Sequence, residues 1–345
     1  MPLRGSVRDE DHRMLFFDAA RIARLLSMPQ VIDALAVAFC QEAVVPPRLV
    51  AAMPGGSGDR LFLGMPAFDR DGAAVKLTTI LPDNAARGLP TIQAAIMLFS
   101  ATGTPVALLD GTFITRLRTS AASALASRYL SRQDSERLLV IGTGALAPYM
   151  AAAHCAVRPI GHVHIWGRNR EKTEAAAAAA KAMLGPQSVV CVADSLEKAV
   201  ASADIVSCAT NSAVPVFDGS WLKSGAFVDL VGSFSPTRRE SDDHVIGRAR
   251  LFVDTLEGAL AEAGDILDPL RRGIITRAHI EGELAGLIRG DVAGRRDAHE
   301  ITLFKSVGTA IEDLAIARLV MTAAQEDEAE GSLPLFGLAE PDCAR

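Results

Sequence analysis

LLVIGTGALAPYM, Leu138 to Met150, joins four apolar residues to a pair of glycines and then to an alanine-rich segment. Leu138 to Ile141 has the length and apolarity of a short buried strand. Gly142-Thr143-Gly144 makes a tight turn, and Ala145 to Ala156 continues as a helix. Glycine lets a backbone come close to a pyrophosphate, while a helix N-terminus offers unpaired N–H groups and a positive dipole end. The pattern is G-x-G-x-x-A, with Ala147 where a third glycine often stands, a variant the dinucleotide fingerprint admits. Gly142, Thr143, Gly144 and Ala145 are therefore expected to hold the phosphates of a dinucleotide.

Downstream the chain alternates strand and helix, as a doubly wound parallel sheet requires. Strands are expected at Val163 to Trp166, Val189 to Val192, Ile205 to Cys208, Phe227 to Val231 and Leu251 to Thr255, with the alanine run Ala175 to Ala180 as one intervening helix. The end of the second strand selects the cofactor. An NAD site places Asp or Glu about 20 residues beyond the glycines to hold the ribose 2′-hydroxyl. Here Trp166-Gly167-Arg168-Asn169-Arg170 stands instead, with no carboxylate to repel a 2′-phosphate and with Arg168 and Arg170 to attract one. NADPH is expected in preference to NADH, which stays possible. Thr210 and Val231 end their strands where the carboxyl ends of a parallel sheet line the cofactor crevice. Glu300 to Ala323 reads as one long helix or two joined ones, returning to pack on the N-terminal half, and the tail from Gln325 reads as poorly ordered.

Upstream, Asp18 to Ala43 reads as a helix, and Pro46-Pro47-Arg48 cannot be helix interior. Runs at Leu61 to Phe68, Ala73 to Leu81, Thr91 to Ser100 and Pro105 to Asp110 read as a largely antiparallel sheet. Lys76 sits inside one of them; a lysine there either snorkels to water or holds an anion, and spacing alone favours a structural role. Thr112 to Leu130 reads as a helix with Arg118 and Thr119 near its beginning. The polar segment Ser131 to Arg137 separates it from the glycine strand. The expected organisation is a second, α+β substrate-binding and dimerisation domain at 1–130, completed by a helix at 300–330, and a Rossmann-type dinucleotide-binding domain at 131–299.

Composition narrows the partners. The 345 residues are 49% hydrophobic, enough for two buried cores. A net charge of −6 argues against nucleic acid as a main partner. Met1 to Arg13 lacks the apolar core of a signal peptide, and no stretch reads as long enough to span a bilayer. The five cysteines have no C-x-x-C spacing, and Cys191 and Cys208 read as core-strand residues, so reduced thiols in a cytoplasmic protein are expected. No histidine pair has H-E-x-x-H spacing, His162 and His164 share one strand face, and no metal site is expected.

From about Arg48 to Arg318 the chain resembles the ornithine cyclodeaminase/mu-crystallin family. The matching segments are PPR at Pro46 to Arg48, AVKL at Ala74 to Leu77, GLPT at Gly88 to Thr91, ATGTPVALLDGTFITRLRTSAASALA from Ala101, VGSFSPTRRE from Val231 and LFKSVGTAIEDLA from Leu303. The resemblance implies a homodimer, and it implies that Arg48, Lys76 and Arg118 hold a small substrate carboxylate beside the nicotinamide. It also implies that Thr91, Thr119, Thr210, Arg238 and Ser306 contact the cofactor; for Arg238 a solvated loop position competes. Glu257 matches a position near the substrate pocket, though capping the following helix would account for it equally well.

One position departs. Where cyclodeaminases and the related alanine dehydrogenases carry an aspartate for acid/base work, this chain has Phe234. A phenyl ring neither accepts nor donates a proton. The resemblance, closest to the Δ1-pyrroline-2-carboxylate reductases, then implies an NADPH-preferring reductase of cyclic imino acids. Such an enzyme would take Δ1-pyrroline-2-carboxylate to L-proline and Δ1-piperideine-2-carboxylate to L-pipecolate. Ornithine cyclodeamination, alanine dehydrogenation and non-catalytic NADPH-dependent ligand binding are the competing activities.

Overall fold

The computed structural model describes residues 14–55 and 60–329. In its N-terminal half, β1 (Leu15–Phe17), β2 (Leu49–Ala52), β3 (Leu61–Asp69), β4 (Gly72–Ile80), β5 (Ile92–Ser100) and β6 (Pro105–Asp110) form a six-stranded sheet in the order β1-β6-β5-β4-β3-β2. β1 is parallel to β6 and every other pair is antiparallel. Side chains alternate across a strand, so Ala74, Lys76 and Thr78 of β4 turn to the covered face, while Leu77 looks outward at 43% exposure. Lys76 stands opposite Met65 of β3 and Ile96 of β5. The covered face packs against the helix Gly111–Leu130 and the C-terminal helix Ala310–Ala329. Asp110 starts the first of these by accepting from the Phe113 N–H at 2.8 Å. The small residues Ala121, Ala122, Ser123, Ala124 and Ala126 are buried along it.

The expected helix over Asp18 to Ala43 is two, Ala19–Leu25 and Met28–Ala38. Pro29 cannot donate or fit inside one continuous helix, so the chain restarts at Ser27, whose N–H is capped by Gln30 Oε1 at 2.9 Å.

The second sheet contains β7 (Arg137–Ile141), β8 (His162–Trp166), β9 (Val189–Val192), β10 (Ile205–Cys208), β11 (Phe227–Leu230), β12 (Arg250–Val253), β13 (Ile280–Glu283) and β14 (Thr302–Lys305). All eight are parallel, in the order β13-β12-β14-β11-β10-β7-β8-β9. Its core, β9-β8-β7-β10-β11, is the doubly wound Rossmann arrangement. β10, β11 and β14 are buried on both faces, which is why their sequences show no alternation.

β14 corrects the reading of Glu300 to Ala323 as helix. Thr302–Lys305 is a strand between β11 and β12, and the helix begins only at Ala310. Gly308, in the intervening loop, takes φ +80°, a conformation no right-handed helix contains. The parallel sheet therefore extends to Lys305, beyond the expected boundary at 299. β1, β2 and β13 were likewise outside the expected strands. Cys191 lies on the edge strand β9 and is exposed, whereas Cys208 is buried; with Cys40 and Cys155 these are free thiols. His162 is exposed and His164 half-buried on β8. The helix runs through Gln325 to Ala329; Met1 to Arg13 and the rest of the tail lie outside the described residues. Among the described residues no helix is long and apolar enough to cross a membrane.

Candidate active site

A cavity of about 830 Å³ opens where the covered face of the six-stranded sheet meets the carboxyl ends of the parallel strands. Its dinucleotide end is built on the turn after β7. Gly142 adopts φ +128°, and a Cβ there would lie 2.6 Å from the Ala209 carbonyl oxygen, so only glycine closes this turn. Around Gly144 the space is open: no heavy atom lies within 4 Å of where its Cβ would stand. The following helix, Ala147–Cys155, starts directly after this turn, and its N-cap Leu146 lines the cavity. An open backbone turn at a helix N-terminus fits the phosphates of a dinucleotide. Thr143 and Leu146 line the same end, with Thr210 after β10 and Val231 after β11.

The opposite end is cationic. Arg48, Lys76 and Arg118 all line the cavity, and each is backed by a carboxylate. Lys76 Nζ lies 3.0 Å and 2.8 Å from the two carboxylate oxygens of Asp313, with both residues almost wholly buried. Arg118 Nη1 donates to Glu312 Oε2 at 2.8 Å. Arg48 Nε meets Glu262 Oε1 at 2.9 Å, and its Nη2 donates to the Gly308 carbonyl at 2.6 Å. That loop is held in turn by Asp254, whose Oδ2 accepts from the N–H groups of Val307 at 2.8 Å and Gly308 at 2.7 Å. A Cβ on Gly308 would stand 2.3 Å from Arg118 Nη1, so the glycine is also the space the guanidinium occupies.

Burial, and secondarily Arg118, bring the Lys76 ammonium down to about 8, against the pull of Asp313. Burial pushes Glu312 up to about 7 and raises Asp254 and Glu262 as well. The supporting carboxylates lie behind the cations. Among the described residues none that lines the cavity is Asp or Glu, and Phe234 lines it at the departing position. The arrangement can bind an anion in a fixed orientation, hold an apolar body against Phe234, Met65 and Ile80, and deliver a proton from Lys76.

Of the remaining sequence-derived residues, Thr91, Thr119, Arg168 and Ser306 also line the cavity. Five lie off its lining. Ala145 is on the turn and exposed. Asn169 caps the helix Arg170–Leu184, accepting from the Lys172 N–H at 2.9 Å. Arg170 is exposed and paired with Glu174 and Asp194, each at 2.6 Å. Arg238 donates to the Asn211 carbonyl at 2.8 Å and thereby braces a cleft loop. Glu257 is exposed in the first turn of Leu256–Glu262; the carboxylate that reaches Arg48 is Glu262, one helix length later.

Glu262, Glu312 and Asp313 were missed by sequence reasoning. The available signal was an adjacent acidic pair inside the apolar run Ala310 to Ala317, where uncompensated charge would be costly. Ser207, Asp229 and His154 also meet, with Ser207 Oγ donating to Asp229 Oδ2 at 2.7 Å. All three are fully buried in the parallel-sheet core, so no substrate reaches them.

Fold and cleft together define a two-domain protein of the Rossmann class, with a cation-lined chamber facing the glycine turn. The family is given by comparison with known sequences: residues 12–328 match the ornithine cyclodeaminase/mu-crystallin family, and the chain belongs to it. It is 38% identical over 312 residues to a Δ(1)-pyrroline-2-carboxylate reductase of Colwellia psychrerythraea, covering 89% of this chain and 98% of that one. Among solved structures, Thermococcus litoralis Δ(1)-pyrroline-2-carboxylate reductase in complex with NADH and L-proline superposes with a TM-score of 0.87 at 36% identity, over 91% of this chain and 98% of the other. An archaeal alanine dehydrogenase dimer with bound NAD superposes at 0.83 and 29% identity, over 91% and 97%.

Proposed function

We propose that the protein is a nicotinamide-dependent reductase of cyclic imino acids, converting Δ1-pyrroline-2-carboxylate to L-proline and accepting Δ1-piperideine-2-carboxylate to give L-pipecolate. The observation that carries this reading is a cavity whose substrate end gathers three cations, Arg48, Lys76 and Arg118, with no carboxylate in the lining among the described residues. Cyclodeamination and oxidative deamination need a base on the amine or on an attacking water. A ready-made C=N bond needs only an anchored carboxylate, a hydride and a proton.

Gly142, Thr143, Gly144, Thr210, Val231 and Ser306 would hold the dinucleotide, which supplies the hydride to the imine carbon. Arg48 and Arg118 offer guanidinium forks to the substrate carboxylate, fixing the plane of the ring. Phe234, Met65 and Ile80 exclude water from the ring methylenes. Lys76 gives a proton to the imine nitrogen and regains one from solvent, so one hydride and one proton turn the imine into the secondary amine. An ammonium poised near 8 is protonated at neutral pH yet releases its proton readily. Arg168, which lines the cleft and has no ion pair among the described residues, supports NADPH as the preferred donor, with NADH also used.

A homodimer fits the outer face of the six-stranded sheet, where Phe16 is 60% exposed, Leu49 59% and Leu77 43%. Such an apolar face is unusual for a monomer.

The test is a substrate panel. Δ1-pyrroline-2-carboxylate should drive NADPH oxidation at neutral pH, and Lys76→Ala or Arg48→Ala should abolish it. Ammonia release from ornithine with NAD+, reduction of pyruvate with ammonia in preference to the imine, or nucleotide binding without turnover would overturn the reading.

A further inference from the structure

Glu240 lies beneath the cleft, not in it. The residue is fully buried and belongs to no strand or helix. Its Oε1 accepts from the Thr210 N–H at 2.6 Å and from Thr210 Oγ1 at 2.9 Å, and its Oε2 accepts from the Gly232 N–H at 2.6 Å. Thr210 follows β10 and Gly232 follows β11, and both line the cavity. One carboxylate thus ties together two neighbouring strand-end loops on the dinucleotide side.

Glu240 is itself rigidly held. Its N–H donates to Asp265 Oδ1 at 2.9 Å, and its carbonyl accepts from the Val216 N–H at 2.9 Å. Asp265 Oδ1 also accepts from the N–H of Ser241 at 3.0 Å. Lys305, the last residue of β14, brings its buried Nζ to 3.5 Å from Asp265 Oδ2, just before the cleft residue Ser306. The carboxyl ends of β10, β11 and β14 therefore converge on one acidic pair.

We propose that Glu240 is a positioning residue for the dinucleotide, its two carboxylate oxygens setting the spacing of the Thr210 and Gly232 loops that grip it. The proposal rests on the reading of the cleft as a nicotinamide-dinucleotide site. Only a carboxylate satisfies the geometry, because both oxygens must accept. Glutamine presents an oxygen to one loop and an NH2 to the other, setting donor against donor. Aspartate keeps the charge but is one methylene too short to reach both.

The experiment measures NADPH and NADH binding by nucleotide fluorescence, together with kcat, nucleotide KM and melting temperature, for the wild type, Glu240→Gln and Glu240→Asp. Loss of one of the two buried acceptors, leaving an amide of the clasp unsatisfied, predicts a rise in nucleotide Kd and KM of about tenfold to hundredfold in Glu240→Gln, with kcat at saturation within about threefold. Glu240→Asp should weaken binding in the same direction, and it carries the test if the glutamine variant fails to fold. A lowered melting temperature with wild-type nucleotide affinity in a folded variant would overturn the proposal. The wild type provides a check that needs no variant: without nucleotide, the Thr210 and Gly232 amides should exchange with solvent as slowly as those of β10, and fast exchange at either overturns the clasp. If the wild type binds neither nucleotide, the cofactor reading fails instead, which separates the two failures.

Discussion

Replacing Asp313 by asparagine keeps the shape beside Lys76 but removes the charge that holds it. In the wild type, burial and Arg118 draw the lysine down to about 8 while Asp313, within 3.0 Å, resists. An adjacent opposite charge is worth about 1–3 units, so without it Lys76 falls to roughly 6. The proton donor is the ammonium form, which is present below its pKa and lost as pH rises through it. At about pH 7.5 roughly three quarters of the wild-type lysines carry the proton, against about 3% in the variant, a loss of about 25-fold in rate. Stability suffers less than a broken buried ion pair usually costs, about 3–5 kcal/mol, because Lys76 escapes by releasing its proton. At pH 7 the escape costs roughly 1.4 kcal/mol, the free energy of the one unit between about 8 and 7. The assay is kcat/KM for Δ1-pyrroline-2-carboxylate from about pH 5.5 to 9. The alkaline limb should move acidward by about two units in Asp313→Asn, with activity recovering toward pH 6. A variant whose limb stays at the wild-type pH would remove Lys76 from proton delivery.

Three further outcomes are expected of the cleft. Phe234→Ala deepens the chamber, so kcat/KM for the six-membered imine relative to the five-membered one should rise about tenfold, the usual worth of a methylene-sized change; an unchanged ratio would place the ring elsewhere. Arg168→Ala should raise the KM for NADPH about tenfold and leave NADH within about twofold, whereas Arg170→Ala, already engaged by Glu174 and Asp194, should alter neither. Equal losses for both nucleotides in Arg168→Ala would contradict a 2′-phosphate contact. Gly308→Ala forces a Cβ against Arg118 at φ +80° and should cost about 1–3 kcal/mol in thermal unfolding, with weaker imine binding; wild-type melting would show that the loop yields freely.

The parallel sheet was legible because β7, β10 and β11 are short, predominantly apolar segments punctuated by glycine or polar turns, and the Gly142-Thr143-Gly144 turn marks where strand gives way to helix. β14 was not legible. Thr302–Lys305 is too short for periodicity to separate strand from helix, and its apolar residues fall into helical step with those beyond Gly308. Lys76 shows the same limit in the site. Alternation along β4 puts it on the covered face, but whether a buried lysine is structural depends on a partner 237 positions away in Asp313. Local spacing carries no record of such a pair. Arg170 fails for a third reason: its neighbourhood is right for a 2′-phosphate, yet Glu174, one helical turn on, and Asp194 after β9 already engage it. Glu240, likewise, reads as one charge in a polar loop, and only the convergence of three strand ends gives it a place.

The most direct measurement is a single turnover with Δ1-pyrroline-2-carboxylate and NADPH deuterated at the transferring position of nicotinamide C4. L-proline carrying one deuterium at its α-carbon, formed without ammonia, is the expected product of a chamber that only saturates an existing double bond. Unlabelled proline, or no reaction with the imine while ornithine yields ammonia, would contradict it.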